Sequence, residues 1–169
     1  SLEPTYMLSK KIEAIEPSMT LSITQKAAEL RQQGHDVISL SAGEPDFPTP
    51  NPIKEAAKCG LDNNMTRYTP VDGLPVLKEA IAYKTRRDQG LTVEPEEIIA
   101  STGAKQALFN LFFSLLNPGD EVLISAPYWV SYPQMVKACD GVPVIIKTQK
   151  ANRFFPTAQQ LVEHITDKT

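Results

Sequence analysis

The chain has 169 residues, 41% of them hydrophobic and 22% charged, which is ordinary for a globular protein with a real core. Its formal net charge of −3 gives no reason to expect nucleic acid or an anionic membrane as a partner. The longest apolar run, near residues 108–116, is too short and too interrupted to span a bilayer, so we expect no membrane partner.

Cysteine usage is sparse. Cys59 and Cys139 lie in unrelated helical stretches, without the spacing of a metal site. We therefore expect two buried thiols, no metal site and a reducing, cytoplasmic location.

The first elements are a polar arm over residues 2–17 and a helix that begins near Ser18 and ends at Gly34. Residues 37–40 predict a strand, and a proline-rich loop over residues 41–50 follows it. Next come a helix over residues 52–61, a loop with Arg67-Tyr68-Thr69-Pro70, and a helix that starts near Pro75 and ends at Gly90.

The most informative stretch is a strand–helix–strand unit over residues 97–129. Ile98 and Ile99 predict a short strand, and apolar residues then recur at helical spacing through Leu115. Residues 117–120 (Asn-Pro-Gly-Asp) end that helix, and residues 122–124 predict the next strand.

The start of this helix is suited to a phosphate. The first amides of a helix lack internal partners and carry partial positive charge, while Gly103 and Ala104 permit close approach. Lys105 adds a full charge, and Trp129 follows the carboxyl end of the next strand, where ligands of open α/β sheets bind. A flat aromatic ligand with a phosphate would suit this pair. Taken alone, the same residues also fit ordinary helix capping, and Trp129 also fits a place in the core.

The rest of the chain continues the alternation of helices and strands. A helix is predicted over residues 130–139, a strand over residues 142–146, and a last helix that starts at Thr157 with a capping box. This order predicts an α/β fold with a mainly parallel sheet covered by helices on both faces.

Five motifs resemble one enzyme family in their order. They are Ser41-Ala42-Gly43-Glu44-Pro45-Asp46-Phe47-Pro48-Thr49-Pro50, Arg67-Tyr68-Thr69-Pro70, Gly103-Ala104-Lys105-Gln106-Ala107-Leu108, Pro118-Gly119-Asp120-Glu121-Val122 and Pro127-Tyr128-Trp129-Val130-Ser131-Tyr132-Pro133. Together they are similar to the amino-terminal part of class I (fold type I) aminotransferases that depend on pyridoxal phosphate. The closest similarity is to bacterial-type aspartate aminotransferases, and it covers nearly the whole chain.

The resemblance implies pyridoxal 5′-phosphate as the cofactor. Gly103, Ala104 and Lys105 would surround its phosphate, and Trp129 would stack on its ring. Tyr68 would reach the cofactor phosphate of the other subunit, which implies a homodimer with shared active sites.

The resemblance also implies the substrates, an amino acid (aspartate or glutamate) and a 2-oxo acid. Lys105 would hold the distal carboxylate of a dicarboxylic substrate, Gly43 would contact it near the α-carboxylate, and Trp129 would line its site. Glu16 differs from the basic residue that such enzymes often carry at this position, which counts against prephenate as a substrate.

In this family the Schiff-base lysine and the other catalytic groups lie beyond the point where the sequence stops. We therefore expect no catalytic residue in this chain and no turnover by it alone. The resemblance divides the chain into residues 1–45, the arm and part of a small domain, and residues 46–169, the truncated first part of a large cofactor-binding domain.

Two other functions remain open. The chain could be a non-catalytic module that binds pyridoxal phosphate or another phosphate. A dinucleotide-dependent oxidoreductase is the third hypothesis, but the single glycine at Gly103 and the lack of a ribose-binding acid in register count against it.

Overall fold

The computed structural model describes residues 8–169. Its helices are α1 (Lys10–Glu13), α2 (Met19–Gln32), α3 (Asn51–Asp62), α4 (Pro75–Gln89), α5 (Gly103–Leu115), α6 (Ser131–Ala138) and α7 (Ala158–His164). Its strands are β1 (Glu121–Ala126) and β2 (Val142–Lys147), and short 3-10 turns lie at Pro95–Glu97 and Lys150–Asn152. Over the described residues, no helix combines the length and the apolarity that crossing a membrane requires.

The sheet is parallel. β1 and β2 pair in register from Glu121 opposite Val142 to Ala126 opposite Lys147, and α6 makes the crossover between them. The core sits where α6 packs on these strands, with Val136 and Ile146 fully buried. The prediction of an α/β fold with a parallel sheet is thereby confirmed.

Two of the strand predictions are wrong. Residues 37–40 and 98–99 have no ladder partner among the described residues, and β1 and β2 alone form the sheet there. A strand needs a neighbour for its backbone hydrogen bonds, which a β-branched run cannot supply by itself. Ile38 and Leu40 are accordingly 84% and 92% exposed.

The helix ends follow local sequence signals closely. The Ser18 side chain accepts a hydrogen bond from the Leu21 amide and caps α2. Gly90 ends α4 with a φ of 71°, a left-handed conformation that glycine adopts without steric cost. Thr157 and Gln160 form the predicted capping box at the start of α7.

By its internal contacts the chain divides into two compact units. The first unit combines residues 8–43 with Lys105–Thr169, and it contains the sheet. The second unit, Glu44–Ala104, contains α3 and α4 and is tied internally by an ion pair between Lys78 and Asp72. The predicted boundary at residues 45 and 46 concerns the domains of a whole enzyme and stays a prediction.

Both cysteines are free, but only one is buried. Cys139 follows α6 in the core, whereas Cys59 is exposed on α3. The expectation of two buried thiols is therefore wrong for Cys59, because no residue of α3 is buried.

Candidate functional site

Lys105 and Trp129 form a direct contact within the first unit. Lys105 lies in the first turn of α5, and Trp129 lies in the segment between β1 and α6. The Lys105 Nζ atom is 4.6 Å from the centroid of the Trp129 ring, well inside the range of about 6 Å for cation–π attraction. The structure thus brings together the two residues that the sequence singled out at the helix start and after the strand.

Trp129 has a second neighbour, Tyr132, that the sequence analysis did not single out. The two ring centroids are 5.5 Å apart and the ring planes are 87° apart, an edge-to-face arrangement. The Tyr132 backbone N–H also donates to the Trp129 carbonyl oxygen, with an N···O distance of 3.0 Å. The sign of this contact in the sequence is an aromatic residue three positions after Trp129, in the first turn of the predicted helix.

A cavity of about 740 Å³ opens beside this pair. Its walls come from the segment before α2 and the first turn of α2, from α5, and from α6 with the connection that precedes it, and most of its surface is apolar. Its lining includes the charged residues Glu16 and Lys105 and the apolar residues Met19, Phe109, Trp129 and Met135. It therefore offers an apolar space with a cation on one wall.

The amino-terminal wall of the cavity is fixed to α6 by polar contacts. The Glu16 backbone N–H donates to the Gln134 Oε1 atom at 3.2 Å, and the Lys137 Nζ atom lies 3.5 Å from Glu16 Oε1. Nearby, the Lys11 Nζ atom lies 2.5 Å from Asp140 Oδ2. Glu16 thus contributes a carboxylate to the rim and is already paired with a lysine.

The start of α5 leaves room for an anion. Gly103 has a φ of 76°, and among residues 8–169 nothing lies within 4 Å of a Cβ added there. The first turn contains no acidic residue, and the first amides of a helix have no carbonyl partner within it. Lys105 carries positive charge at this helix end, where the dipole disfavours a cation. A bound anion would remove that conflict.

Tyr68 and Gly43 are each described within their own unit, Tyr68 in the second and Gly43 in the first. Tyr68 is fully exposed in its loop in the second unit. Gly43 is exposed, and among the described residues nothing would contact a Cβ added there. Neither unit by itself tests the predicted roles of Tyr68 and Gly43, so these roles stay predictions.

The residues at hand fit a flat ring that carries a phosphate. Within the first unit, Lys105 provides charge, and Trp129 is 42% exposed as a residue and so has surface left for a ligand. No group of three or more His, Cys, Asp or Glu side chains within residues 8–169 is arranged to hold a metal ion.

Comparisons with known proteins place this chain in a family. A family model described as aminotransferase class I and II matches residues 35–169. The aspartate/prephenate aminotransferase of Thermus thermophilus is 49% identical over 162 residues, which cover 96% of this chain and 42% of that protein. The aspartate aminotransferase of Geobacillus stearothermophilus is 52% identical over 162 residues, which cover 96% of this chain and 41% of that protein.

A solved structure agrees with these relatives. The aspartate aminotransferase of Thermus thermophilus with maleate superimposes with a TM-score of 0.92 at 49% identity, over 97% of this chain and 43% of that one. The chain spans about two fifths of the length of the relatives it matches. Since the family model matches well over half of its residues, the chain belongs to the class I and II aminotransferases.

Proposed function

We propose that the protein represented by this chain transfers an amino group between aspartate or glutamate and a 2-oxo acid, with pyridoxal phosphate as its cofactor. The observation that carries the proposal is the Lys105 ammonium over the Trp129 ring at the start of α5, in a chain of the aminotransferase family. The relatives named above are aspartate or aspartate/prephenate aminotransferases.

The chain's own residues would bind the cofactor without covalent chemistry. The amides of Ala104 and Lys105 would hold the phosphate at the helix start, and Trp129 would cover one face of the ring. The Gly103 N–H donates to the Ser101 carbonyl oxygen at 2.9 Å, so Gly103 would contribute to the phosphate site by leaving space beside it. When bound, the ring supplies an electron sink for proton removal at the substrate α-carbon. Trp129 would hold the ring in its orientation and shield that face from water.

The cavity beside Trp129 suits the side chain of a dicarboxylic amino acid. Lys105 would pair with the distal carboxylate, and Gly43 would contact the substrate near its α-carboxylate. A relative's structure contains maleate, which is a small dicarboxylate. Glu16, on the rim of the same cavity and paired with Lys137, stands where such enzymes often carry a basic residue, so the proposal does not extend to prephenate.

The proposal also covers the domains, the cellular location and the subunit arrangement of the protein. Residues 1–45 would belong to the arm and small domain, and residues 46–169 to the large domain, of a cytoplasmic homodimer with shared active sites. The fully exposed Tyr68 ring is free of packing and so is suited to reach the cofactor phosphate of a second subunit. None of the lysines in the sequence matches the family's Schiff-base motif, so this chain alone would bind without turnover.

The test is a titration of the 169-residue chain with pyridoxine 5′-phosphate, which has the ring and the phosphate but no aldehyde. Trp129 is the only tryptophan, so its emission reports binding directly. We expect saturable quenching and an affinity roughly tenfold or more above that of pyridoxine, because a charged hydrogen bond contributes about 1.5–3 kcal/mol. Lys105→Met should weaken binding, whereas Lys26→Met, a charge removal on α2, should not.

Equal affinity for pyridoxine and pyridoxine 5′-phosphate would contradict a phosphate site at α5. A parallel assay with aspartate and 2-oxoglutarate addresses turnover. Binding of the phosphate ester without any transamination would favour the alternative of a non-catalytic module for the chain as it stands. Transamination by the chain would contradict the expectation that it lacks the catalytic lysine.

A further inference from the structure

The Trp129 indole lies in a segment that secondary structure does not hold in place. β1 ends at Ala126 and α6 begins at Ser131, so Trp129 belongs to the connection between them. The residue as a whole is 42% exposed. A half-exposed side chain in a connection has several rotamers within reach, yet a stacking surface must keep one tilt. Some neighbour must therefore restrict the ring.

Lys105 is a poor restraint on the orientation of the indole. Its contact is a single ammonium over the ring, at the end of a flexible chain of four carbons. A point charge of this kind can follow the ring as it tilts. Lys105 therefore adds attraction to Trp129 without fixing its angle.

Tyr132 is the rigid neighbour. Its ring meets the Trp129 ring nearly at right angles, and its backbone N–H holds the Trp129 carbonyl oxygen. Tyr132 lies in the first turn of α6, and the following turn buries Met135 and Val136 in the core. The Tyr132 ring is thus connected to the best packed part of the first unit, and an edge-to-face pair depends on the angle between its rings.

We propose that Tyr132 is a positioning residue that holds the Trp129 indole at a fixed tilt for stacking on the cofactor ring. The proposal rests on the proposed function for the cofactor, but the restraint itself exists in the chain without any ligand. The Tyr132 ring makes the contact with Trp129, so phenylalanine preserves it and an aliphatic side chain removes it.

The test measures the motion of the single tryptophan by time-resolved fluorescence anisotropy in the 169-residue chain. In Tyr132→Leu we expect the amplitude of the fast local motion of Trp129 to rise roughly twofold, on the picosecond-to-nanosecond scale of side-chain motion. Tyr132→Phe should keep the wild-type amplitude. Tyr132→Met serves as a second variant if the leucine variant does not fold, as judged by far-UV circular dichroism.

Tyr128→Leu is the matched control. Tyr128 precedes Trp129 directly and is also partly exposed, but the ring contacts found over residues 8–169 pair Trp129 with Tyr132. We expect this control to leave the fast amplitude unchanged. An unchanged amplitude in both aliphatic Tyr132 variants, or an equal rise in Tyr128→Leu, overturns the proposal.

A second readout separates this inference from the proposed function. With pyridoxine 5′-phosphate as the probe, Tyr132→Leu should weaken binding several-fold, and Tyr132→Phe should restore it. A mobile indole with unchanged affinity overturns the role in cofactor stacking. If the wild-type chain shows no quenching by this probe, the proposed cofactor site fails, while the anisotropy data still decide whether Tyr132 restrains Trp129.

Discussion

The Lys105 Nζ atom lies 4.6 Å from the centroid of the Trp129 ring, in the first turn of α5. The helix dipole disfavours a cation there by about 0.3–1 kcal/mol. A cation–π contact at an exposed site contributes about 0.5–1 kcal/mol in the opposite sense. The two effects are of similar size, so the aromatic ring largely offsets the unfavourable position of the lysine.

The first prediction follows from that balance. In Lys105→Met both effects disappear together, so the free energy of unfolding should change by less than about 1 kcal/mol. The emission of Trp129 should change clearly in the folded state and not in denaturant, because the cation leaves the indole face. Chemical denaturation followed by fluorescence measures both quantities in one experiment.

Two variants control the result. Lys105→Arg keeps a cation that can stack on the ring, so its folded-state emission should stay near that of the wild type. Lys26→Met removes a lysine from α2 and should leave the emission unchanged. Folded-state emission of Lys105→Met that matches the wild type would show that the ammonium does not rest on the ring in solution.

Local chemistry explains what the sequence could predict about the fold. Ser18, Gly90 and the pair Thr157 and Gln160 each act within a few residues of themselves, and the structure places helix ends at all of them. The predicted strands at residues 37–40 and 98–99 depended instead on a distant partner. Their β-branched residues describe a surface that fits a sheet but not the strand that would pair with it.

The residues of the candidate site also divide into those that a local sequence pattern predicts and those that it does not. Lys105 and Trp129 were predictable because one follows a strand-to-helix turn and the other follows the next strand. Tyr132 was not, because the helical period does not give the angle between two rings. Glu16 lines the cavity through tertiary contacts with Gln134 and Lys137, which no local pattern contains.

The second prediction concerns Gly141, the residue between α6 and β2. A Cβ added there would lie 2.8 Å from both Leu116 Cδ1 and Val136 Cγ1. The Val136 backbone oxygen, at 3.2 Å, is less able to move than a side chain, and Val136 is fully buried. Gly141→Ala should therefore lower the free energy of unfolding by about 1–3 kcal/mol through overpacking, measured by urea denaturation.

Gly43→Ala is the matched control for this overpacking. The described residues leave open space around Gly43, and its φ lies outside the left-handed region. Its free energy of unfolding should stay within about 0.5 kcal/mol of the wild-type value, as for most surface substitutions. If the two alanine variants had equal stability, close packing at Gly141 would not be the reason for glycine there.

The third prediction concerns the pH dependence of Asp88 at the end of α4. Hydrogen bonds from Arg87, at 2.6 and 3.1 Å, and from Lys84, at 3.0 Å, lower the pKa of this carboxyl to about 2. An Asp in an unfolded chain titrates near about 3.9. Because the folded pKa is the lower one, any stabilisation by Asp88 is present above about pH 3.9 and is lost as the pH falls toward 2.

The carboxyl carbon shift of Asp88, followed by NMR, measures this directly. In the wild type it should stay almost constant between about pH 6 and pH 3, while an ordinary aspartate titrates in that range. Arg87→Gln should move the midpoint upward by more than Lys84→Gln does, because Arg87 makes the larger contribution. A wild-type midpoint near the unfolded value would mean that these exposed ion pairs do not persist in water.

The last prediction separates the two thiols. Cys139 is 6% exposed, and burial raises its pKa, with Lys11 opposing the rise and Asp140 adding to it. The thiolate is the reactive form, so restricted access and the raised pKa both slow the alkylation of Cys139 near neutral pH. Cys59 is exposed on α3, where the Asn63 Nδ2 atom donates to its sulfur at 3.2 Å. Iodoacetamide should therefore modify Cys59 first, as peptide mass mapping would show.

Cys59→Ser isolates the buried thiol. This variant should react slowly in the folded state and at the rate of an ordinary thiol in denaturant, because unfolding removes the burial that raises the pKa of Cys139. Its folded-state rate should also keep rising with pH beyond about 8.5, the usual pKa of cysteine, since the raised pKa moves thiolate formation upward. Fast labelling of Cys139 in the folded variant would mean that the end of α6 opens readily. The packing of Val136 and Ile146 beside the parallel strands would then be less firm than their complete burial indicates.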